Sequence, residues 1–457
     1  MFFCVASTSC EKRETLYTVS FDSNGGSFVV PQTVKGGERA TKPEDPTRHG
    51  YQFMAWYRDA GFTTEWIFDV QVVTADITLY ARWFQDLFTV TFDSNGGSAV
   101  LPQTVELFRG VIKPEDPTRS EHLFAAWYRD PELTSDWKFD PGYNYVYADM
   151  TLYAKWNPMD TKFKIDGLSV DNYPRVDGST STTPLNVLVA CKLLDIGYYW
   201  SLGAGSNTRT LEPNLKDNSD KFWERVKSSQ THESFINLID DQAELILSAR
   251  EMSPDEQAYA HAASVSLIET PIARDALVFI VHPTNPIKTL TTRQIQDIYT
   301  GKITNWKEVG GLDFQINPYI RNANSGSQEL MESLVMKGLD IADFPASYNE
   351  LLIFSMVMVF EVVITDPFAI CYSIHYYKEN MISGIPVKTI AVDGIYPDKE
   401  SISDNSYPHV ADVVAAIRSD IDKSSMAYKL YQLLQTEEGK RVITESGYVP
   451  YDQLTTL

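Results

Sequence analysis

Three short segments gather hydroxyl groups, small residues and arginine in patterns suited to holding an anion. The first runs Ser-Thr-Ser-Thr-Thr over 179–183, followed by Pro184 and an apolar-periodic stretch over 185–194. Hydroxyl residues ahead of a proline mark a helix N-terminus, where a side chain caps and proline sits in the first turn. Free N–H groups and the helix dipole make that position attractive to a negative ligand. Capping needs one hydroxyl, so this run leaves Thr180, Ser181 and Thr182 over as candidate contacts. The second segment runs from Arg321 to Ser327 and again opens a helical pattern, 328–335. Its arginine lies four residues ahead of Ser325-Gly326-Ser327, near enough to reach over the helix start. A guanidinium is a planar fork matched to two oxygens of a tetrahedral oxyanion, and Gly326 lets the backbone approach closely. The third is Ser-Ser-Gln-Thr-His over 228–232, and downstream Ser248, Arg250 and Glu251 end another apolar run. These residue types bind. The chain has no G-x-S-x-G or H-E-x-x-H motif, and His232 beside Ser228, Ser229 and Ser234 reads as a loop histidine rather than half of a dyad. No catalytic residue, cofactor or metal site is expected.

Walls of this kind need a scaffold. From Phe163 onward strand-like runs such as 276–281 alternate with amphipathic stretches at 222–226, 292–299, 328–335 and 411–421, the pattern of an α/β architecture. About 295 residues is large for one core, so two lobes with a cleft between them are expected. The apolar stretch 351–364 is about 14 residues long with Glu361 inside it, which suits a buried helix and not a membrane span. Cys191 and Cys371 fall in an apolar helix and an apolar strand. Buried free thiols are the reading, with a disulfide as the alternative.

The first third of the chain is a repeat. Thr-Val-Ser-Phe-Asp-Ser-Asn-Gly-Gly-Ser at 18–27 returns as Thr-Val-Thr-Phe-Asp-Ser-Asn-Gly-Gly-Ser at 89–98, an offset of 71 residues. The same offset relates Pro-Glu-Asp-Pro-Thr-Arg at 43–48 and 114–119, Ala-Trp-Tyr-Arg-Asp at 55–59 and 126–130, and Trp66 and Trp137. It slips to 73 only at Trp83 and Trp156, so the second copy carries two extra residues near 142–147. Spacing kept across separate motifs marks a duplicated unit. Each unit reads as β: an alternating strand over 17–21, a hairpin turn at Asn24-Gly25-Gly26, an aromatic strand at 53–57 and a closing strand at 77–83. The tryptophans and tyrosines are read as the core of a small β-domain rather than as a carbohydrate-stacking surface.

Composition narrows the classes. Among 457 residues, 61 are acidic and 39 basic, a formal charge of −22, which repels nucleic acid and anionic lipid. Aromatics at 12% argue for an ordered chain. Four cysteines without a C-x-x-C pair exclude a disulfide scaffold or a zinc ribbon. At the start, Thr8-Ser9-Cys10 followed by charged sequence resembles the lipobox of bacterial lipoproteins, so Cys10 is expected to be lipidated. The absence of a basic n-region and the short apolar stretch depart from a full signal, as though part of it were missing.

Residues 16–157 resemble the internalin-type B-repeat family, which implies β-grasp-like modules of bacterial surface proteins without catalytic residues. The second half resembles the phosphate-binding proteins of ABC transporters. The motifs are Ala-Leu-Val-Phe-Ile-Val-His-Pro-Thr-Asn-Pro at 276–286, Leu-Thr-Thr-Arg-Gln-Ile-Gln-Asp-Ile-Tyr-Thr-Gly-Lys-Ile-Thr-Asn-Trp at 290–306, Val-Gly-Gly at 309–311, and Arg321 with Ser325-Gly326-Ser327. Phe-Ala-Ile-Cys-Tyr-Ser at 368–373, Tyr407-Pro408 and Gly-Tyr-Val-Pro at 447–450 complete them. That resemblance implies a type-II periplasmic-binding-protein fold, two α/β lobes closing on an oxyanion. It carries the first-loop contact to Ser181 or Thr182, the second-loop hydroxyl to Thr231 in preference to Ser229, and the arginine and helix-start donors to Arg321, Ser325, Gly326 and Ser327. Members of the family also hold an aspartate that accepts the proton of hydrogen phosphate; here that place reads Ser-Ala-Arg-Glu at 248–251. If Glu251 does not reach the cleft, a second arginine favours any oxyanion.

The expected organisation is a leader over 1–15, repeats over 16–84 and 85–157, and a two-lobed domain over 158–457. The expected function is a lipid-anchored receptor at the bacterial surface or in the periplasm. It would take inorganic phosphate or a related oxyanion, and hand it to an ABC permease or sense it. The repeats would meet a surface or host ligand, and the membrane would be met only through the lipid. The alternative is an adhesion protein with vestigial binding lobes.

Overall fold

The computed structural model describes residues 14–451 apart from 141, 143, 204–205, 216–218, 343–351 and 354. Cys10 lies outside the described residues. The chain divides into two compact units: residues 1–117 with 127–154, and residues 118–126 with 155–457.

In the first unit each repeat builds a four-stranded mixed sheet. In repeat one the strands are Leu16–Asp22, Gln32–Lys35, Tyr51–Tyr57 and Ile77–Gln85, in the spatial order second, first, fourth, third. The first and fourth run parallel, Val19 opposite Ile77, and the outer pairs are antiparallel. Repeat two copies the order and the central parallel pair, with Val90 opposite Met150. Asn24 and Gly25 hold φ of 47° and 86°, as an Asn-Gly turn requires. The turn nevertheless does not close a tight hairpin, since the next strand begins at Gln32. Gly26 lies against the Trp83 indole, where a Cβ would sit 2.3 Å from the ring, and Trp83 Nε1 donates to Ser23 O at 2.8 Å. The segment between the two strands therefore wraps the indole.

Of the repeated tryptophans, Trp56, Trp66, Trp127 and Trp137 are core, while Trp83 and Trp156 are half-buried and Tyr145 and Tyr147, expected in the core with them, are exposed. Trp56 and Trp127 are each 1% exposed, and each meets the equivalent phenylalanine edge-on, Phe21 at 4.9 Å and Phe92 at 5.0 Å.

The second unit is organised by a nine-stranded sheet around one 15-residue strand, Leu267–Val281. Its first part pairs antiparallel with Val410–Arg418, which continues through Leu245–Ser248 to Val176–Gly178. Its last five residues pair instead with Ala369–Ile374 and Lys388–Val392. The two partner sets define the two lobes, and the strand runs through both. Residues 411–421 were expected to be helical, but 411–418 belong to the strand Val410–Arg418. Its β-branched, Ala-rich run is buried along nearly its whole length, so a helical period has no solvent face to occupy. Within 351–364 the helix is confined to its end, Met358–Thr365, preceded by the short strand Leu352–Ile353. Cys191 and Cys371 are buried and unbridged.

Where the long strand passes between lobes, Asp275 is 2% exposed. Its Oδ1 accepts from the N–H of Ala276 at 2.8 Å and of Tyr376 at 3.0 Å, so it ties the crossing strand to the second lobe. Burial pushes its carboxyl up to about 7, against the lowering by those two N–H groups.

Two measurements check this description. Trp56→Ala should cost about 3–5 kcal/mol, seen as a lowered urea midpoint for the transition of the repeats. Asp275 should also make stability fall as pH rises from about 4 to about 7, because the unfolded carboxylate ionises near 3.8 while the folded one keeps its proton. Unfolding curves of Asp275→Asn across that range should lack this downward slope.

Candidate functional site

The strand Val176–Gly178 ends in a loop that turns directly into a 3₁₀ segment, Thr180–Thr182, and the helix Thr183–Leu193. No side chain caps either start, and Pro184 lies in the first turn of the helix, so N–H groups face outward. The loop is fixed from below. Thr182 is fully buried, and its Oγ1 donates to Leu247 O at 2.6 Å and Ser179 O at 3.0 Å. Gly178 is required there, since a Cβ would stand 2.4 Å from Leu247 O. Asp177, also buried, accepts from Ser229 N at 2.8 Å and from Asn237 Nδ2 at 2.8 Å, which fastens the 228–231 loop beside it. The helix Thr231–Ile239 then starts at the same place, after Gln230 with φ 71° and ψ 168°, a conformation costly for any residue but glycine.

The other lobe contributes Ile320–Arg321 and the helical segment Gly326–Leu330, which continues as the π-helical turn Met331–Met336. The Arg321 N–H donates to Gln328 Oε1 at 3.1 Å and to Tyr372 Oη at 3.0 Å, so its backbone is held while its side chain extends. Arg321 is 7% exposed, and Nη1 donates to Ser327 Oγ at 3.4 Å. Burial pulls its pKa down, and the neighbouring Tyr372 and Tyr377 phenols act in the opposite direction.

These pieces meet around one cavity of about 30 Å³, walled by Ser179, Thr180, Ser181, Thr231, Arg321 and 325–327, with Gln230, Ala249, Met356 and Ile374. A single water needs roughly 10–15 Å³ on this measure, so the space suits a small ion and not an organic solute. At the rim the lobes all but touch: a Cβ on Gly326 would stand 2.5 Å from Thr231 Oγ1. The Tyr448 hydroxyl donates to Ser181 O at 3.0 Å while its ring stacks at 3.8 Å on Tyr376, the residue tied to Asp275. The cavity wall is thus linked to the strand crossing.

The structure brings together Thr180, Ser181, Thr231, Arg321, Ser325, Gly326 and Ser327. It places four expected contacts elsewhere. Thr182 spends its hydroxyl on Leu247 and Ser179, and Ser248 donates to Arg250 O at 2.7 Å. Arg250 is turned into a two-pronged pair with Glu256, 2.7 Å on each prong, and Glu256 is itself fully buried. Burial would push Glu256 up, yet Arg250, the Ser253 N–H and His232 hold it below the usual range. His232 Nδ1 lies 3.0 Å from Glu256 Oε1, in the first turn of its helix rather than in a loop, and is part of this buried cluster. Glu251 lines a different, larger cavity of about 460 Å³ with Arg274, Glu329 and Asp412. Sequence reasoning passed over Ser179, Gln230, Ala249, Met356 and Ile374. Ser179 stood within the hydroxyl run and was legible; Met356 and Ile374 are apolar residues with no signal of their own.

A profile of the PBP superfamily domain matches residues 206–449, just over half of the chain, and one of the Listeria-Bacteroides repeat domain matches 17–82 and 88–155. The phosphate-binding protein PstS of Borreliella burgdorferi is 27% identical over 184 residues, 40% of this chain and 65% of that protein. Internalin H of Listeria monocytogenes is 32% identical over 169 residues, 37% of this chain and 28% of internalin H. Each of these two relatives is thus matched over less than two thirds of its own length. An ABC-type phosphate transport receptor from Vibrio cholerae has a similar structure, with a TM-score of 0.44 and 24% identity over 60% of this chain and 98% of the receptor. With two Listeria-Bacteroides repeats ahead of a two-lobed α/β domain matched along most of its length, the chain belongs to the PBP superfamily.

Proposed function

We propose that this chain is a solute receptor of the bacterial surface or periplasm that closes on a tetrahedral oxyanion, phosphate among them. In this reading it delivers the ion to an ABC permease or reports its presence. The observation that carries the reading is the buried guanidinium of Arg321 facing hydroxyls from the opposite lobe across a cavity of about 30 Å³. A buried cation strongly favours an anionic partner, and the small volume restricts that partner to an ion of a few atoms. The PstS relatives are named for binding phosphate, which supports phosphate as the first ligand to test. The repeats would serve as spacer or adhesive modules, and Cys10 as the lipid attachment point. Among the described residues no helix is long and apolar enough to cross a membrane, which is compatible with such an anchor. The cavity favours this reading over an adhesion protein whose lobes bind nothing.

Isothermal titration with sodium phosphate should give one site per chain, and the melting temperature should rise with phosphate by mass action. Arg321→Ala should abolish both effects while leaving the fold intact. No heat and no stabilisation with any tetrahedral oxyanion would refute the proposal. Gly326→Ala should weaken binding by about tenfold or more, because a methyl group against Thr231 keeps the lobes apart.

A further inference from the structure

Tyr448 stands between the cavity wall of the first lobe and the body of the second. The segment that follows it is pinned to the first lobe's part of the long strand, with Val449 opposite Arg274 and Pro450 opposite Ala273. Three contacts around Tyr448 reach the second lobe. The Tyr376 hydroxyl donates to Ser446 O at 2.8 Å, and the Tyr376 and Tyr448 rings stack at 3.8 Å within 6° of parallel. Gly447, at φ 105°, lies so close to Asn380 that a Cβ would stand 2.7 Å from its Oδ1. Asn380 Nδ2 donates to Tyr376 O at 3.0 Å, so the second lobe presents the two residues as one block. Both tyrosines are buried.

On its other side Tyr448 reaches the wall, where its hydroxyl donates to Ser181 O at 3.0 Å. That carbonyl shares a peptide plane with the Thr182 N–H, which donates to Ser179 O at 3.0 Å. A rigid plane bonded at both edges resists rotation, so the direction in which Ser181 leaves the loop is fixed. With the Tyr448 bond removed, the plane would keep the Thr182 bond, a contact across three residues of the weaker 3₁₀ kind. Ser179 N and Thr182 Oγ1 anchor the loop to Leu247 inside the first lobe. The Tyr448 bond differs from those anchors, because its donor ring is packed against the second lobe.

Resting on the oxyanion reading above, we infer that Tyr448 is a positioning residue for the anion, setting the 180–182 segment, and with it Ser181, by where the second lobe stands. Tyr376 moves with its lobe, the stacked ring follows, and the hydroxyl of that ring turns the Ser181 peptide. Closure and presentation of the first loop are then one event.

The test is phosphate titration of the full chain carrying Tyr448→Phe, at a temperature where parent and variant are both folded. The variant keeps the stacked ring and loses only the bond to Ser181. Its phosphate Kd should rise about three- to tenfold, carried mainly by faster release. A purely structural tyrosine would lower the melting temperature and leave Kd where it was, and that result overturns the inference. Tyr376→Leu takes away the second lobe's ring and should also raise Kd. Added to Tyr448→Phe it should raise Kd less than it does alone, because both act through one peptide. No effect of Tyr376→Leu on Kd, or full additivity of the two changes, overturns the route through the second lobe. A parent chain that binds neither phosphate nor sulfate overturns the oxyanion reading, and the inference with it.

Discussion

A cation taken out of water is the constraint around which the second unit is arranged. Arg321 is almost fully enclosed, and burial works against its charge. The chain responds in two ways. It fixes the arginine's backbone from behind through Gln328 and Tyr372, so that the position from which the side chain extends is set before a ligand arrives. It also sets hydroxyl oxygens ahead of the guanidinium, on loops locked by Thr182 and Asp177.

A second arginine shows the opposite solution. Arg250 lies close in sequence to the cavity wall at Ala249, but it is neutralised by Glu256 within its own lobe, with His232 alongside. Of two buried guanidiniums in this region, one is paired with a carboxylate of its own lobe and the other lines the cavity. The difference follows from the helix Pro254–Ala262, whose capping box places Glu256 at its third position, directly under Arg250.

Much of this could be read from residue order, and the exceptions have physical causes. The duplicated β-units, the buried tryptophans and the two lobes follow from periodicity, motif spacing and length, whereas the meeting of the 179–183 run with Arg321 followed from the resemblance to phosphate-binding proteins. The strand at 411–418 was mistaken for a helix because a run of Ala, Val and Ile carries no clear period once both faces are buried. The roles of Thr182, Ser248, Arg250 and Glu251 were misjudged because each lies within two or three residues of the cavity in sequence. At such distances a backbone turn decides which neighbour points inward, and nothing in the sequence announced that Glu256 would claim Arg250. The apolar wall from Met356 and Ile374 is set by long-range packing, which no local pattern records.

The strand Leu267–Val281 gives the two lobes a common spine, and that has a mechanical meaning. A tethered pair of domains explores many relative orientations, and a ligand must select among them. Here any opening has to bend a ladder whose first part is bonded to one lobe and whose last five residues are bonded to the other. The jaws therefore move as a stiff flexure with few soft directions, and binding spends little of its free energy on bringing them into register.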